Sequence, residues 1–125
     1  MIATRDSSTS ERGAWAERAA LDFLTARGLH NVSRNYRCRH GEVDLIMRDG
    51  DQLVFTEVRY RRSHSLVSAA ESVDEAKQRR LMASAEHFLQ RHAEHASRRC
   101  RFDVVSVSGD DPEPRLDWIR DAFEA

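Results

Sequence analysis

Three acidic residues stand at period-two spacing in two adjacent runs, Gly41-Glu42-Val43-Asp44-Leu45-Ile46 and Val54-Phe55-Thr56-Glu57-Val58-Arg59. Each run alternates apolar and polar residues, which is the signature of a strand. Asp49-Gly50 between them is a hairpin signal, because both residue types can take positive φ. A two-residue loop sets Glu42 opposite Glu57 and Asp44 opposite Phe55; a four-residue loop sets Asp44 opposite Glu57. Either register leaves Glu42, Asp44 and Glu57 on one face. Like charges held across a hairpin cost on the order of several tenths of a kcal/mol per pair. Acidic residues on a strand commonly just face water, but this face also carries Ile46, Leu53 and Phe55 and is therefore covered over part of its length. A hard divalent cation with oxygen ligands would neutralise the carboxylates, and such a cation catalyses phosphodiester hydrolysis.

These strands need elements on either side to bring other groups to the carboxylates. A helix is expected from Ser10 to Arg27, stopping at Gly28. Its apolar stripe is Trp15, Ala16, Ala19, Ala20, Phe23 and Leu24. Glu17 falls in phase with Ala20, Leu21 and Leu24, so it points toward the body of the protein, where a charged residue needs a partner. A strand over 31–37 and the hairpin strands over 42–48 and 52–60 follow, and 61–71 is expected as a loop. Ser72-Val73-Asp74-Glu75 has the form of a capping box with Ser72 as N-cap. The second helix then runs to His92 with Val73, Leu81, Ala85, Phe88 and Leu89 inward. Lys77 is in phase with Leu81, Ala85 and Phe88. A strand over 101–107 and a short strand or helix over 116–123 complete the order α-β-β-β-α-β, with an optional last strand. The fold class is α/β, a central mixed sheet flanked by helices.

With 125 residues the chain makes one domain, residues 10–125, behind a Ser/Thr-rich tail over 1–9 that is expected to be disordered. No apolar run is long enough to cross a membrane, and the first residues lack a signal-peptide core, so the expected location is the cytoplasm and no membrane partner is expected. Cys38 and Cys100 have neither zinc nor redox spacing and are expected as reduced thiols at strand ends. The net charge of −1 conceals an uneven distribution. Arg34, Arg37, Arg39, Arg59, Arg61 and Arg62 gather around the hairpin, while acidic residues crowd the last segment. A basic patch beside a carboxylate cluster suits a phosphate backbone, although any one of these arginines alone would be only a solvated side chain.

Other chemistries find less support. His87, His92 and His95 make no His-Glu-x-x-His pattern and are expected as solvent-exposed residues at or beyond the second helix. His40 precedes Gly41-Glu42, close in sequence to the carboxylates, where it would contact phosphate or shuttle protons if it is more than a loop residue. Cys38 and His40 together are too few ligands for zinc.

The runs Gly13-x-x-x-Glu17, Arg34-Asn35-Tyr36-Arg37, Gly41-Glu42-Val43-Asp44-Leu45-Ile46, Phe55-x-Glu57-Val58-Arg59, Lys77-Gln78-Arg79-Arg80-Leu81 and Arg101-Phe102-Asp103-Val104-Val105 together resemble the YraN family of bacterial proteins. The resemblance covers roughly residues 10–123. It implies the restriction-endonuclease-like superfamily, with an architecture related to Holliday-junction resolvases. It further implies a site in which Asp44, Glu57 and the Val58 carbonyl bind Mg²⁺ or Mn²⁺, Glu17 adds a carboxylate from the first helix, and Glu42 and His40 back them up.

The chain departs from the superfamily pattern where Arg59 replaces the usual lysine and Thr56 an aliphatic residue. Arginine stays protonated, so it can stabilise a phosphate but is a poor activator of water. Lys77 is the candidate for the missing amine. The implied catalytic set is therefore Asp44, Glu57, Arg59 and Lys77, with Arg34, Arg37, Arg39, Arg61 and Arg62 on nucleic acid. Two functions follow. One is a metal-dependent endonuclease on structured or branched DNA. The other is a non-catalytic nucleic-acid-binding module on the same scaffold, serving a recombination or uptake complex. By analogy with dimeric resolvases, the resemblance also implies a homodimer.

Overall fold

The hairpin forms as its alternation dictates. In the computed structural model, which describes residues 7–61, 73–109 and 113–124, β2 (Gly41–Asp49) and β3 (Gln52–Arg61) pair antiparallel from Asp49 with Gln52 to Leu45 with Thr56. Gly50 and Asp51 make the loop, with Gly50 at φ +62. The register is therefore the one that, continued, brings Asp44 opposite Glu57. β1 (His30–Cys38) flanks β2, and β4 (Cys100–Ser108) runs parallel to β3. β5 (Arg115–Phe123) closes the far edge, giving one five-stranded mixed sheet in the order β1-β2-β3-β4-β5. The open choice at the C-terminal end resolves as a strand, because pairing with β4 satisfies its backbone. A parallel step needs a crossover, and α2 (Glu75–Arg91) lies between β3 and β4 in the chain.

Period-two alternation gives the sheet two apolar faces, and each helix covers one. α1 (Ser7–Ala26) buries Ala16, Ala20 and Leu24 against Leu45, Met47, Val54, Val105 and Val107. Leu81, Ala85 and Phe88 of α2 pack against Val43, Ile46, Phe55, Phe102 and Val104. Gly28 ends α1 at φ +96: its N–H donates to the Thr25 carbonyl (3.0 Å) and that of Leu29 to Leu24 (3.1 Å), a Schellman closure with Leu29 buried beside Leu24.

Three expectations change at element ends. α1 begins at Ser7 and not Ser10, so three residues assigned to a disordered tail are helical; residues 1–6 lie outside the described ones. α2 is capped by Asp74, whose Oδ1 accepts the Lys77 N–H at 2.8 Å. Ser72, the expected cap, lies outside the described residues, as does most of the 61–71 loop, while Arg61 ends β3. The better cap is the one whose carboxylate also meets the positive end of the helix dipole.

Sequence reading missed a buried charge network at the other end of the sheet. Asp103 is 1% exposed and Arg101 7%. Arg101 Nε donates to Asp103 Oδ1 at 3.1 Å, and its Nη1 reaches Asp49 Oδ2 and Gln52 Oε1, both at 3.0 Å. Asp103 also accepts from Trp118 Nε1 and from the Asp121 N–H, each at 2.9 Å. Asp121 sits at φ +52 where the β4–β5 register shifts, so one carboxylate satisfies the irregular backbone and ties β5 to β4, and Arg101 extends the network to β2 and β3. Asp103→Ala is expected to cost about 3–5 kcal/mol in denaturant unfolding, since it strands a buried guanidinium. A loss below about 1 kcal/mol would show that water replaces these bonds.

Candidate active site

Beyond the Leu45–Thr56 pair, the ladder of β2 and β3 gives way to a side-chain bond: the Val58 N–H donates to Asp44 Oδ2 at 2.8 Å. The faces of β2 also change here, since Val43 packs on the α2 side and Leu45, two residues on, packs on the α1 side. Asp44 thus stands where the sheet opens, between the two helices. In an antiparallel ladder a residue's N–H and C=O point to the same neighbour, so the Val58 carbonyl belongs on the Asp44 side.

Each helix contributes one side chain. Lys77, inward on α2 as its phase requires, places Nζ 3.4 Å from Glu57 Oε2. Arg59 Nη1 stands 3.5 Å from the same oxygen, and Glu57 is only 4% exposed. On the other side Glu17 of α1 accepts at Oε1 from Asn35 Nδ2 (2.9 Å). That amide also donates to Glu42 Oε2 at 3.1 Å, and Arg37 Nε donates to the same oxygen at 3.3 Å. Four carboxylates therefore converge, with one asparagine spanning the outer two.

Asp44 bears the electrostatic consequence. Its pKa is pushed up to about 8, first by burial and then by the Glu57 charge, against the Val58 N–H, which lowers it; Glu17 and Glu42 add smaller increases. Hard oxygen donors crowded with too little positive charge are the chemistry of a Mg²⁺ or Mn²⁺ site. As placed, however, the oxygens face protein donors: among the described residues no three His, Cys, Asp or Glu side chains are arranged to hold an ion. Lys77 and Arg59 lie where positive charge is needed on Glu57.

The remaining predicted residues divide. Arg34, Arg37 and Arg39 are exposed on β1 and the turn after it, Arg61 ends β3, and Arg62 lies outside the described residues. His40 does not reach the carboxylates; it turns toward α2, 6.0 Å between ring centroids from His87. The solvated-histidine expectation also fails. Tyr36 Oη and His87 Nδ1 are 2.6 Å apart, and His92 stacks on Phe88 at 4.0 Å. Imidazole rings at the end of α2 finish an aromatic layer. Cys38 and Cys100 are free thiols at strand ends, as expected. Thr56 is fully buried with no hydrogen-bond partner for Oγ1 among the described residues. Asn35, at φ +51, went unrecognised as a site residue. Its signal was available, since asparagine is among the few residues that tolerate this backbone region inside a strand.

Comparison with known proteins adds the family. The model of "Uncharacterised protein family UPF0102" matches residues 16–107. A UPF0102 protein of Pseudomonas aeruginosa is 48% identical over 124 residues, 98% of this chain and 99% of the relative. Those of Alcanivorax borkumensis and Aeromonas hydrophila are each 50% identical over 117 residues, 93% of this chain and 94% and 87% of the relatives. Among the described residues no helix is long and apolar enough to cross a membrane.

The raised Asp44 pKa makes stability depend on pH. Between 3.8, its ordinary value, and about 8, the folded state holds a proton that the unfolded chain has lost, so this contribution falls as pH rises through that window. Asp44→Asn, which removes the charge and keeps an acceptor for the Val58 N–H, is expected to melt at higher temperature than the native protein at pH 8. The difference should shrink toward pH 5. A melting difference that is constant across this range would show that Asp44 stays ionised throughout.

Proposed function

The chain belongs to the UPF0102 family, which is the YraN family of the sequence resemblance, and from that premise we propose that it is a metal-dependent endonuclease acting on structured or branched DNA. One observation carries the reading: Lys77 Nζ lies 3.4 Å from Glu57 Oε2, with Asp44 beside it. The site thereby has an amine from α2 in place of the lysine that the strand lacks at Arg59. Asp44, Glu57, the Val58 carbonyl and Glu17 would hold Mg²⁺ or Mn²⁺, and the bound ion would acidify water and draw charge from the phosphate.

The chain's own groups have separable tasks. Glu57 keeps Lys77 and Arg59 at one place through its Oε2. Lys77 orients a water by hydrogen bonding on the Glu57 side. Arg59, permanently charged and forked, binds non-bridging phosphate oxygens and offsets charge as it builds there. Asn35 sets the spacing of Glu17 and Glu42, so the outer carboxylates do not drift apart when a charged substrate arrives. The exposed Arg34, Arg37 and Arg39 supply attraction for the flanking backbone.

A second reading, a nucleic-acid-binding module without cleavage in a recombination or uptake complex, is favoured by the two cations on Glu57, which neutralise it with no ion present. Cleavage assays with Mg²⁺ and Mn²⁺ on junction, flap, single-stranded and duplex DNA separate the two. Lys77→Ala is expected to reduce cleavage by about a hundredfold, the lower range for loss of a proton-handling group. Arg59→Lys is expected to raise cleavage about tenfold, equivalent to about 1.4 kcal/mol of barrier. With Arg59→Lys present, Lys77→Ala should cost little. DNA and metal binding without cleavage by any of these forms would establish the binding module.

A further inference from the structure

The flank of α2 that meets the β1–β2 turn has a composition the site does not use. Arg80, His87 and Arg91 fall within roughly 40° of one another around the helix axis at 3.6 residues per turn. Contacts across this flank fix its relation to β1: Tyr36 Oη lies 2.6 Å from His87 Nδ1, and the Cys38 thiol donates to Ser84 Oγ at 3.6 Å. A Cβ at Gly41 would lie 3.7 Å from Arg80 Cβ, so the turn sits close against the helix. Two surface depressions follow: Tyr36, Arg39, His87 and Arg91 line one, and His40 and Arg80 line the other.

The charge here is not cancelled. Arg37 is paired with Glu42 and Arg79 with Glu75, but Arg39, Arg80 and Arg91 make no ion pair with the described residues. Glu86 lies away from this flank, lining the groove beside Met82 and Leu89. His87 adds no charge of its own, since Arg91 Nε donates to its Nε2 at 3.4 Å. The neutral ring's proton then belongs on Nδ1, facing the Tyr36 oxygen. His87 is held below the ordinary histidine range by desolvation, then by Arg91, His40 and Arg39, which marks the surface as electropositive.

We infer that this flank of α2, with Arg39 from the adjoining turn, is a track for the phosphate backbone of a DNA strand that leads away from the carboxylates. The inference rests on the DNA reading above and gives that site a direction. Lys77, which faces Glu57, lies one turn before Arg80, so the strip starts at the reacting phosphate and runs toward the His92 end of α2. From Arg80 to Arg91 the helix rises roughly 16 Å at 1.5 Å per residue, close to five steps of 3.4 Å along one strand. Arg80 and Arg91 are exposed, so the strand can lie along the strip with no change in the core.

The test is binding of a fluorescent duplex to the full chain as salt is varied, with no divalent ion present. Arg80→Ala with Arg91→Ala is expected to lower the log–log salt slope by up to about two units. The double substitution to lysine should restore it, because counter-ion release depends on charge. Arg115→Ala, on β5, should leave the slope unchanged. An unchanged slope in the double alanine form, or no restoration by lysine, would overturn the track while leaving the DNA reading intact. A native protein that binds no DNA at low salt would overturn both. Displacement by polyglutamate as effective as by unlabelled duplex would assign the strip to an acidic polypeptide and overturn it as a DNA track.

Discussion

Asp44 accepting the Val58 N–H is the bond on which the candidate site depends. It occurs where β2 and β3 stop pairing through their backbones, at the end of a register that would otherwise set Asp44 against Glu57. A carboxylate in place of a ladder partner keeps the opened backbone satisfied. It also places the Asp44 carboxyl beside the almost wholly buried Glu57 carboxylate, where burial and the Glu57 charge push its pKa up to about 8. Burial and Coulomb repulsion both oppose two charges there, and two cations offset that of Glu57. Lys77 comes from α2, outside the hairpin, and Arg59 from β3 itself.

This makes the two helices electrostatic parts of the site as well as covers for the sheet. α1 buries small residues on one face and carries Glu17 to the Asn35 amide. α2 buries Leu81, Ala85 and Phe88 on the other and carries Lys77 to Glu57. Displacement of either helix would remove one side of the cluster. The Arg101–Asp103 network anchors the opposite end, joining β4 to the β2–β3 turn and to the irregular part of β5. The sheet is thus held by charge at both ends and by apolar packing between them. At the network end every carboxylate has donors enough, whereas at the Asp44 end they are in short supply. That asymmetry distinguishes a structural ion pair from a site with reactive potential.

Legibility followed the range of the interaction. The hairpin came from a local alternation, and its two admissible registers shared a parity, so the convergence of Asp44 and Glu57 survived the ambiguity of loop length. Glu17 and Lys77 were legible from helical phase alone, since each lies among apolar neighbours that must face the sheet. Asn35 carried a local signal for its positive φ but none for its role, which depends on two carboxylates 18 and 7 residues away. His87 was misread as solvated for a similar reason, since its partner is Tyr36 on a distant strand; His92 was misread despite a partner, Phe88, only four residues away.

The sequence by itself determined the order of elements up to β4, the faces they bury except where β2 switches sides between Val43 and Leu45, and the set of carboxylates that share an end of the sheet. Those properties follow from periodicity, which acts over a few residues and needs no knowledge of the rest of the chain. Tertiary structure alone decided that the last segment is a strand, and that His40 faces α2 and not the carboxylates. It also decided the pairing of Lys77 with Glu57, which helical phase permits but cannot specify. In each case the deciding contact joins groups distant in sequence, and its strength comes from water being excluded around them, which only the assembled sheet and helices achieve.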